Sequence, residues 1–376
     1  MQYFIYYSLL GFFSFDFFYT AYLCIGDIAL FSQSLHVGIV CIVGFTVSIV
    51  CTYYRKDLIY LHHGLMNGIC YYESGEFYEE LQTNMYKEKK RILIFWPLYY
   101  GSCAVVAIIV GPLVDSYYGN FTGQTVHPGV SLKLPISFWT PFDVDGNIFA
   151  FICMSAIEAI FAFIVAIMVA AGVVMCVAVM MRLCLHLELL IHSLETIDER
   201  TLELYNIKEG NTLLRNIDRQ IYMKYYNECL VENIKHHQEI LSLYYIFAKV
   251  VNLPIFVPFI AGAVLLAMAG VHVLSDDPRV GPKLTSASLV LGEMLNMLML
   301  CFYGEKMKQM NEDLRVAIYS IKWYERDRCH KTVSIVQERT IVPMNIVCVY
   351  ILEINMQTFA SVSISTKTHL RKKNAF

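Results

Sequence analysis

"AIFAFIVAIMVAAGVVMCVAVMM", Ala159 to Met181, runs for 23 residues without a charge between Glu158 and Arg182. At a rise of about 1.5 Å per residue, an uncharged helix of this length crosses a hydrocarbon core of roughly 30 Å. Lipid is therefore the solvent against which the rest of the chain is read. Ile92 to Val114 is a second run of 23 residues, Ile28 to Tyr54 carries no charge, and Val250 to Ser275 is interrupted only by Pro254 and Pro258. Three further runs are apolar around one carboxylate: Met1 to Gly26 with Asp16, Leu284 to Gly304 with Glu293, and Thr340 to Thr366 with Glu353. The first has no basic n-region and is rich in aromatics, so it reads as a span and not as a signal peptide. The fold class predicted is an all-α polytopic membrane protein, one domain over 1–376, with seven transmembrane helices at about 3–25, 34–54, 92–114, 148–181, 250–274, 284–303 and 341–366.

The composition agrees. Of 376 residues 57% are hydrophobic and 16% charged, with mean hydropathy +0.49; soluble domains average roughly 45–50% and about 25%. A soluble enzyme is excluded, and a net charge of −3 gives no electrostatic footprint for nucleic acid.

The distribution of the 29 Lys and Arg is more informative than their number. Segments 55–91, 182–249 and 305–340 carry 6, 8 and 8 of them, leaving 7 for the opposite face and the tail. By the positive-inside rule the N-terminus is cytoplasmic and the C-terminus outside, the reverse of a G-protein-coupled receptor. Asn120, in the sequon Asn120-Phe121-Thr122, falls on the face read as outside and is a candidate glycosylation site. None of the 12 cysteines lies in an outer loop, so no disulfide framework is implied.

Apolar positions at Leu187, Leu190, Ile191, Leu194 and Ile197 extend the fourth span as a helix beyond the membrane, and Leu314, Ala317, Ile318 and Ile321 repeat the pattern after the sixth. Segments 182–249 and 305–340 thus read as a helical cytoplasmic bundle, an anchor for subunit assembly or helices packed only on their own chain. The outer loop 115–147, rich in Gly and Pro, carries Phe138, Trp139 and Phe142 and could lie as a lid over an opening between helices.

No catalytic motif stands out. Walker, HExxH, G-x-S-x-G and CxxC patterns are missing, and the adjacent histidines His62–His63 and His236–His237 point about 100° apart on a helix, unsuited to one metal. Neither an enzyme nor a cofactor or metal is expected. The carboxylates within spans say more, because each costs at least ~2.5–3.5 kcal/mol at the bilayer centre unless paired or hydrated. Glu353, Gln357 and Ser361 recur every four residues and would wet one face of the last span; a cation pore is the functional reading, interhelical hydrogen bonding the structural one. Glu293 marks either a ligand or ion site or an interhelical pair.

Several stretches resemble the insect odorant receptor family: "LPISFWTPFD" (Leu134 to Asp143), "IKHHQEIL" (Ile234 to Leu241), "CFYGEKM" (Cys301 to Met307), "LRVAIYSIKWYE" (Leu314 to Glu325) and "MQTFASV" (Met356 to Val362). The likeness implies a ligand-gated, nonselective cation channel in the plasma membrane of olfactory neuron dendrites, working as a heterotetramer with an odorant co-receptor and needing no G protein. It implies a pocket for a small volatile ligand in the outer half of the membrane between the second, third, fourth and sixth spans, where His36, Val40, Val110, Met154, Leu289 and Glu293 are candidates. It also implies pore-lining by the last helix (Glu353, Gln357, Ser361) and an anchor that includes His237, Tyr319 and Trp323.

One stretch departs from the family. Where aromatic, apolar residues usually continue the pore, this chain reads "SISTKTHLRKKNAF", and Lys367, Arg371, Lys372 and Lys373 make a poor cation path; an alternative or mis-spliced end is expected. The competing readings are a gustatory-receptor-like channel, which should show a Gln-Phe pair soon after Thr358-Phe359, and a secondary transporter, which should show Gly/Pro-broken spans in both halves.

Overall fold

The structure is a computed structural model, and it describes residues 2–66, 75–118, 127–209, 218–273, 279–321, 323 and 330–362. Asn120 and the basic positions Lys367, Arg371, Lys372 and Lys373 lie outside the described residues.

Among the described residues the labelled helices are, in order, α1 (Gln2–Leu23), α2 (Ile28–Tyr53), α3 (Arg55–Met66), α4 (Glu76–Val105), α5 (Gly111–Tyr117), α6 (Ile148–Glu195), α7 (Ile197–Glu209), α8 (Arg219–Val273), α9 (Val280–Ser320) and α10 (His330–Ile341). A π turn, Val106–Val110, joins α4 to α5, and a two-stranded hairpin of β1 (Val347–Cys348) and β2 (Leu352–Glu353) follows α10. Among the described residues five helical stretches are long and apolar enough to cross a bilayer: Ala29–Tyr53, Glu76–Tyr117, Ile148–Glu195, Arg219–Met268 and Val280–Ser320. The chain is thus a multi-pass helical membrane protein.

At the centre stands α6, 48 residues long and packed against α2, α4, α8 and α9. It starts where Asn147 Oδ1 accepts the backbone N–H groups of Phe149 and Ala150, and Asp27 caps α2 in the same way. Buried Val165, Val169, Val173, Val177 and Met180, then Leu183, Leu187 and Leu190, continue one apolar face from the membrane into a distal bundle. That bundle gathers the far ends of α6, α8 and α9 with α3, α7 and α10. Burial there is supported by polar ties: Arg200 pairs with Glu232 at 3.2 Å, Ser193 donates to Asn233 Oδ1 at 2.7 Å, and Lys208 meets Glu228 at 2.9 Å.

The stretch 341–366, expected as one helix, differs. Pro343 has no N–H to give a helix and biases Val342 toward extended backbone, so α10 stops at Ile341. Val347 pairs with Glu353 and Cys348 with Leu352, and Ile351 N–H closes the turn on the Cys348 carbonyl at 3.1 Å. Val349 and Tyr350 hold φ of 50° and 57°, the left-handed pair a tight hairpin turn requires. Helix resumes at 356 and is described to 362, with Asn355 Oδ1 accepting the Thr358 N–H at 2.8 Å as its cap.

Candidate ligand site between the membrane helices

The third span carries the local irregularity. Pro112 cannot donate a helical hydrogen bond, and its ring crowds the carbonyl four residues back. The backbone accommodates it by widening: Gly111 N–H bonds to the Val106 carbonyl, five residues back, which defines the π turn. π turns of this kind recur at functional sites.

A long seam joins this span to α9, running antiparallel. At one end Asp115 Oδ1 accepts the N–H groups of Val280 (2.7 Å) and Gly281 (3.0 Å), capping α9 from a neighbouring helix. Gly111 and Gly281 let the backbones touch, since a Cβ on Gly281 would fall 2.7 Å from the Gly111 carbonyl carbon. Further along, Tyr99 Oη donates to the Ser288 carbonyl at 2.6 Å, and Gly292 seats α9 against the rings of Tyr99 and Tyr100. Near the distal end Tyr303 bonds Glu88.

The segment 127–147 folds back as a lid over α1 and α6. Trp139 N–H donates to Thr20 Oγ1 at 2.8 Å, and Ile136 N–H to Glu158 Oε2 at 3.4 Å. Phe138 is buried between Phe13 and Phe17, while Trp139 meets Tyr19 edge-on at 5.3 Å.

Each residue proposed from the sequence can now be placed. His36 and Val40 lie on α2, Val110 in the π turn, Met154 on α6, and Leu289 and Glu293 on α9; His36 and Glu293 are buried, the other four half-buried. These elements pack on one another: α6 touches α2, α9 and the π turn, and α9 touches α2 and the π turn. Gln357 and Ser361 lie exposed on the helix 356–362, but Glu353 is on β2, where it meets Lys308 at 3.4 Å, so the expected spacing of four does not put all three on one helical face. In the distal bundle His237 is buried beside Leu190, Leu230, Ile318 and Val333, Trp323 meets His330 edge-on at 5.3 Å, and Tyr319 is 70% exposed.

Sequence reasoning missed Glu158, which it used only as the border of a run although it lies one turn from Met154. It also missed Tyr99 and Tyr100, hidden in an aromatic-rich stretch. The distal bundle holds a further group: His186 Nδ1 and His236 Nε2 are 3.4 Å apart and buried. Burial pushes the imidazoles of His186 and His237 down to about 4 and that of His236 to about 3, the last helped by its two histidine neighbours. All three are neutral at pH 7. Among the described residues no group of three or more His, Cys, Asp or Glu is arranged to hold a metal.

A lidded bundle of membrane-length helices joined by polar seams defines a multi-pass helical membrane protein. The residues 27–365 match the model of the 7tm odorant receptor family, and the chain belongs to that family, whose members are ligand-binding membrane proteins and not enzymes. The fold is similar to that of the insect olfactory receptor OR5 from Machilis hrabei, with TM-score 0.75 and 14% identity over 97% of this chain and 86% of that one. The same receptor in complex with eugenol matches with TM-score 0.73 and 14% identity, over 96% of this chain and 87% of that one. No curated protein sequence matches the chain.

Proposed function

We propose that this odorant receptor is a subunit of a ligand-gated cation channel that opens with an odorant co-receptor. The N-terminus and the distal bundle face the cytoplasm, a reading supported by the 22 basic residues gathered in three segments on one side. A small volatile ligand sits in the outer half of the membrane between α2, the π-bulged third span, α6 and α9. The observation that carries this reading is the mutual packing of those four elements beside the lid, together with the fold shared with an olfactory receptor that binds eugenol. Exposed Gln357 and Ser361 on the last helix support a water-lined path, since polar side chains facing lipid would be costly. His237, Tyr319 and Trp323 belong to the assembly region. Ligand binding opens the pore only as far as the ligand prefers the open state to the closed one.

Co-expression with a co-receptor in oocytes, with currents recorded against an odorant panel, tests this. Odorant-evoked, nonselective cation current that needs both subunits is expected. Surface-expressed chain giving no evoked current with a functional co-receptor, across the panel, would overturn the channel reading. An N-terminal tag reached by antibody only after permeabilisation, and glycosidase sensitivity lost in Asn120→Gln, are the expected signs of orientation.

A further inference from the structure

Between α4, α8 and α9 the protein leaves hydrogen-bonding atoms unused in a place where water does not reach freely. Tyr100 and Asn296 are each 3% exposed, and Tyr100 Oη and Asn296 Oδ1 have no hydrogen-bond partner. Both flank Glu293, itself 5% exposed. Asn296 Nδ2 reaches Glu293 Oε2 at only 3.5 Å, long for an N–H···O bond, and Glu293 lies within electrostatic reach of Tyr99 and Tyr100. Gly262 lets α8 approach the cluster closely: a Cβ there would fall 2.5 Å from Met297 Cε and 3.9 Å from Glu293 Oε2.

Native interiors satisfy nearly all buried polar groups, so two orphans around one carboxyl call for an occupant. The donor inventory says which kind. Glu293 and Asn296 bring three acceptor oxygens, against one amide NH₂ already aimed at Glu293 and one phenolic O–H. What is missing is an incoming donor. Leu289 is one turn from Glu293 on the same helical face, so an apolar body would extend from the polar end toward the outer half of the membrane.

We propose that Glu293, Tyr100 and Asn296 form the polar end of the ligand site and take the O–H or N–H donor of a small alcohol, phenol or primary amine. This inference rests on the ligand-binding reading given above and names the class of ligand. An apolar pocket separates ligands by shape at a modest cost per methylene, whereas a site with unpaired acceptors rejects a ligand that lacks the donor.

The test uses the purified full chain in lipid nanodiscs, with equilibrium binding and thermal shift measured for 2-phenylethanol, 2-phenylethylamine and ethylbenzene, which share one skeleton. Both donor ligands are expected to bind about tenfold or more tightly than ethylbenzene. Tyr100→Phe with Asn296→Leu, which remove the orphan atoms and keep most of the volume, should reduce that advantage to about twofold. Glu293→Gln should weaken the amine more than the alcohol, because it removes only the charge. Tyr100→Phe alone keeps the ring on Gly292 and carries the test if the double variant does not fold. Equal binding of the three to the intact protein, or an advantage that survives the substitutions, would assign the cluster to trapped water and overturn the inference while the ligand reading stands. Binding of none of the three would overturn both.

Discussion

The helix α6 and the segment 340–362 both read as apolar stretches leading between membrane and distal bundle, yet one is an unbroken 48-residue helix and the other passes through a hairpin before helix resumes. In α6 the buried face runs through Ala170, Val177, Met180, Leu183 and Leu187, none more than 0% exposed. In the segment, Tyr350 and Ile351 are 97% and 82% exposed and the backbone turns in the left-handed region. Apolar content decides that a stretch leaves water; it does not decide how many partners it finds. Leu187→Asp therefore puts a charge at a fully buried apolar position, at a cost on the order of 3–5 kcal/mol. Monodisperse, surface-expressed protein should be lost. Ile351→Asp should express as the unmodified chain does, within about 0.5 kcal/mol. If the two variants behaved alike in size-exclusion profiles, the contrast would collapse.

Mild acid should act on the first region through its buried histidines. His186 of α6 and His236 and His237 of α8 have folded pKa values of about 4, 3 and 4, below the 6.5 of an exposed histidine. Below pH 6.5 the unfolded chain thus binds more protons than the folded one, and stability falls as pH drops from about 6.5 toward 4; above 6.5 these groups contribute no slope. Thermal unfolding of the purified chain between pH 7.5 and 5 should show this decline. His236→Leu, which replaces a buried neutral ring by an apolar side chain, should make the decline shallower. An unchanged slope would mean that other groups govern acid sensitivity.

How much of this was legible in the sequence follows from the same contrast. Long uncharged runs announced α2, α6, α8 and α9, because desolvating a charge in lipid is a penalty that single residues reveal. The distal continuation of α6 was legible from Leu187, Leu190 and Leu194 at helical spacing. The hairpin was not, because its cause, Pro343, is one residue in a run whose hydropathy stays high, and its strands are only two residues long. Glu353 accordingly looked like the first of three pore positions, whereas its partner is Lys308, 45 residues earlier in the chain. The candidate ligand residues, chosen by depth alone, lie on α2, the π turn, α6 and α9. Glu158, Tyr99 and Tyr100 escaped because facing is set by packing: the Gly111–Gly281 and Gly292–Tyr99 contacts rotate the third span and α9 onto each other, and no periodicity in either helix records that rotation.

The hairpin is held from outside as well as by its own pairing. Tyr244 Oη donates to the Asn345 carbonyl at 2.7 Å, and Asn252 Oδ1 accepts the Val349 N–H at 2.7 Å. Removing the phenol in Tyr244→Phe leaves the ring in place and the Asn345 carbonyl short of a donor, a loss of about 1 kcal/mol. Hydrogen exchange of residues 345–354 should accelerate while exchange along α6 stays as it was. Equal acceleration in both would show that the hairpin and α6 unfold as one cooperative unit, contrary to the contrast drawn between them.

The smallest effect has the opposite sign. Val349 is β-branched and sits at φ 50°, where its Cβ crowds the backbone at roughly 1–2 kcal/mol. Glycine removes that crowding and returns part of the gain through the greater freedom of the unfolded chain, so Val349→Gly should stabilise the turn by about 0.5–1 kcal/mol net. The measurement is exchange of the Ile351 and Ile354 amides, whose acceptors are the Cys348 and Ile346 carbonyls. Slower exchange is the expected result. Faster exchange would mean that the Val349 side chain contributes more to the hairpin than its backbone costs, and the turn would then resemble α6 in being held by packing.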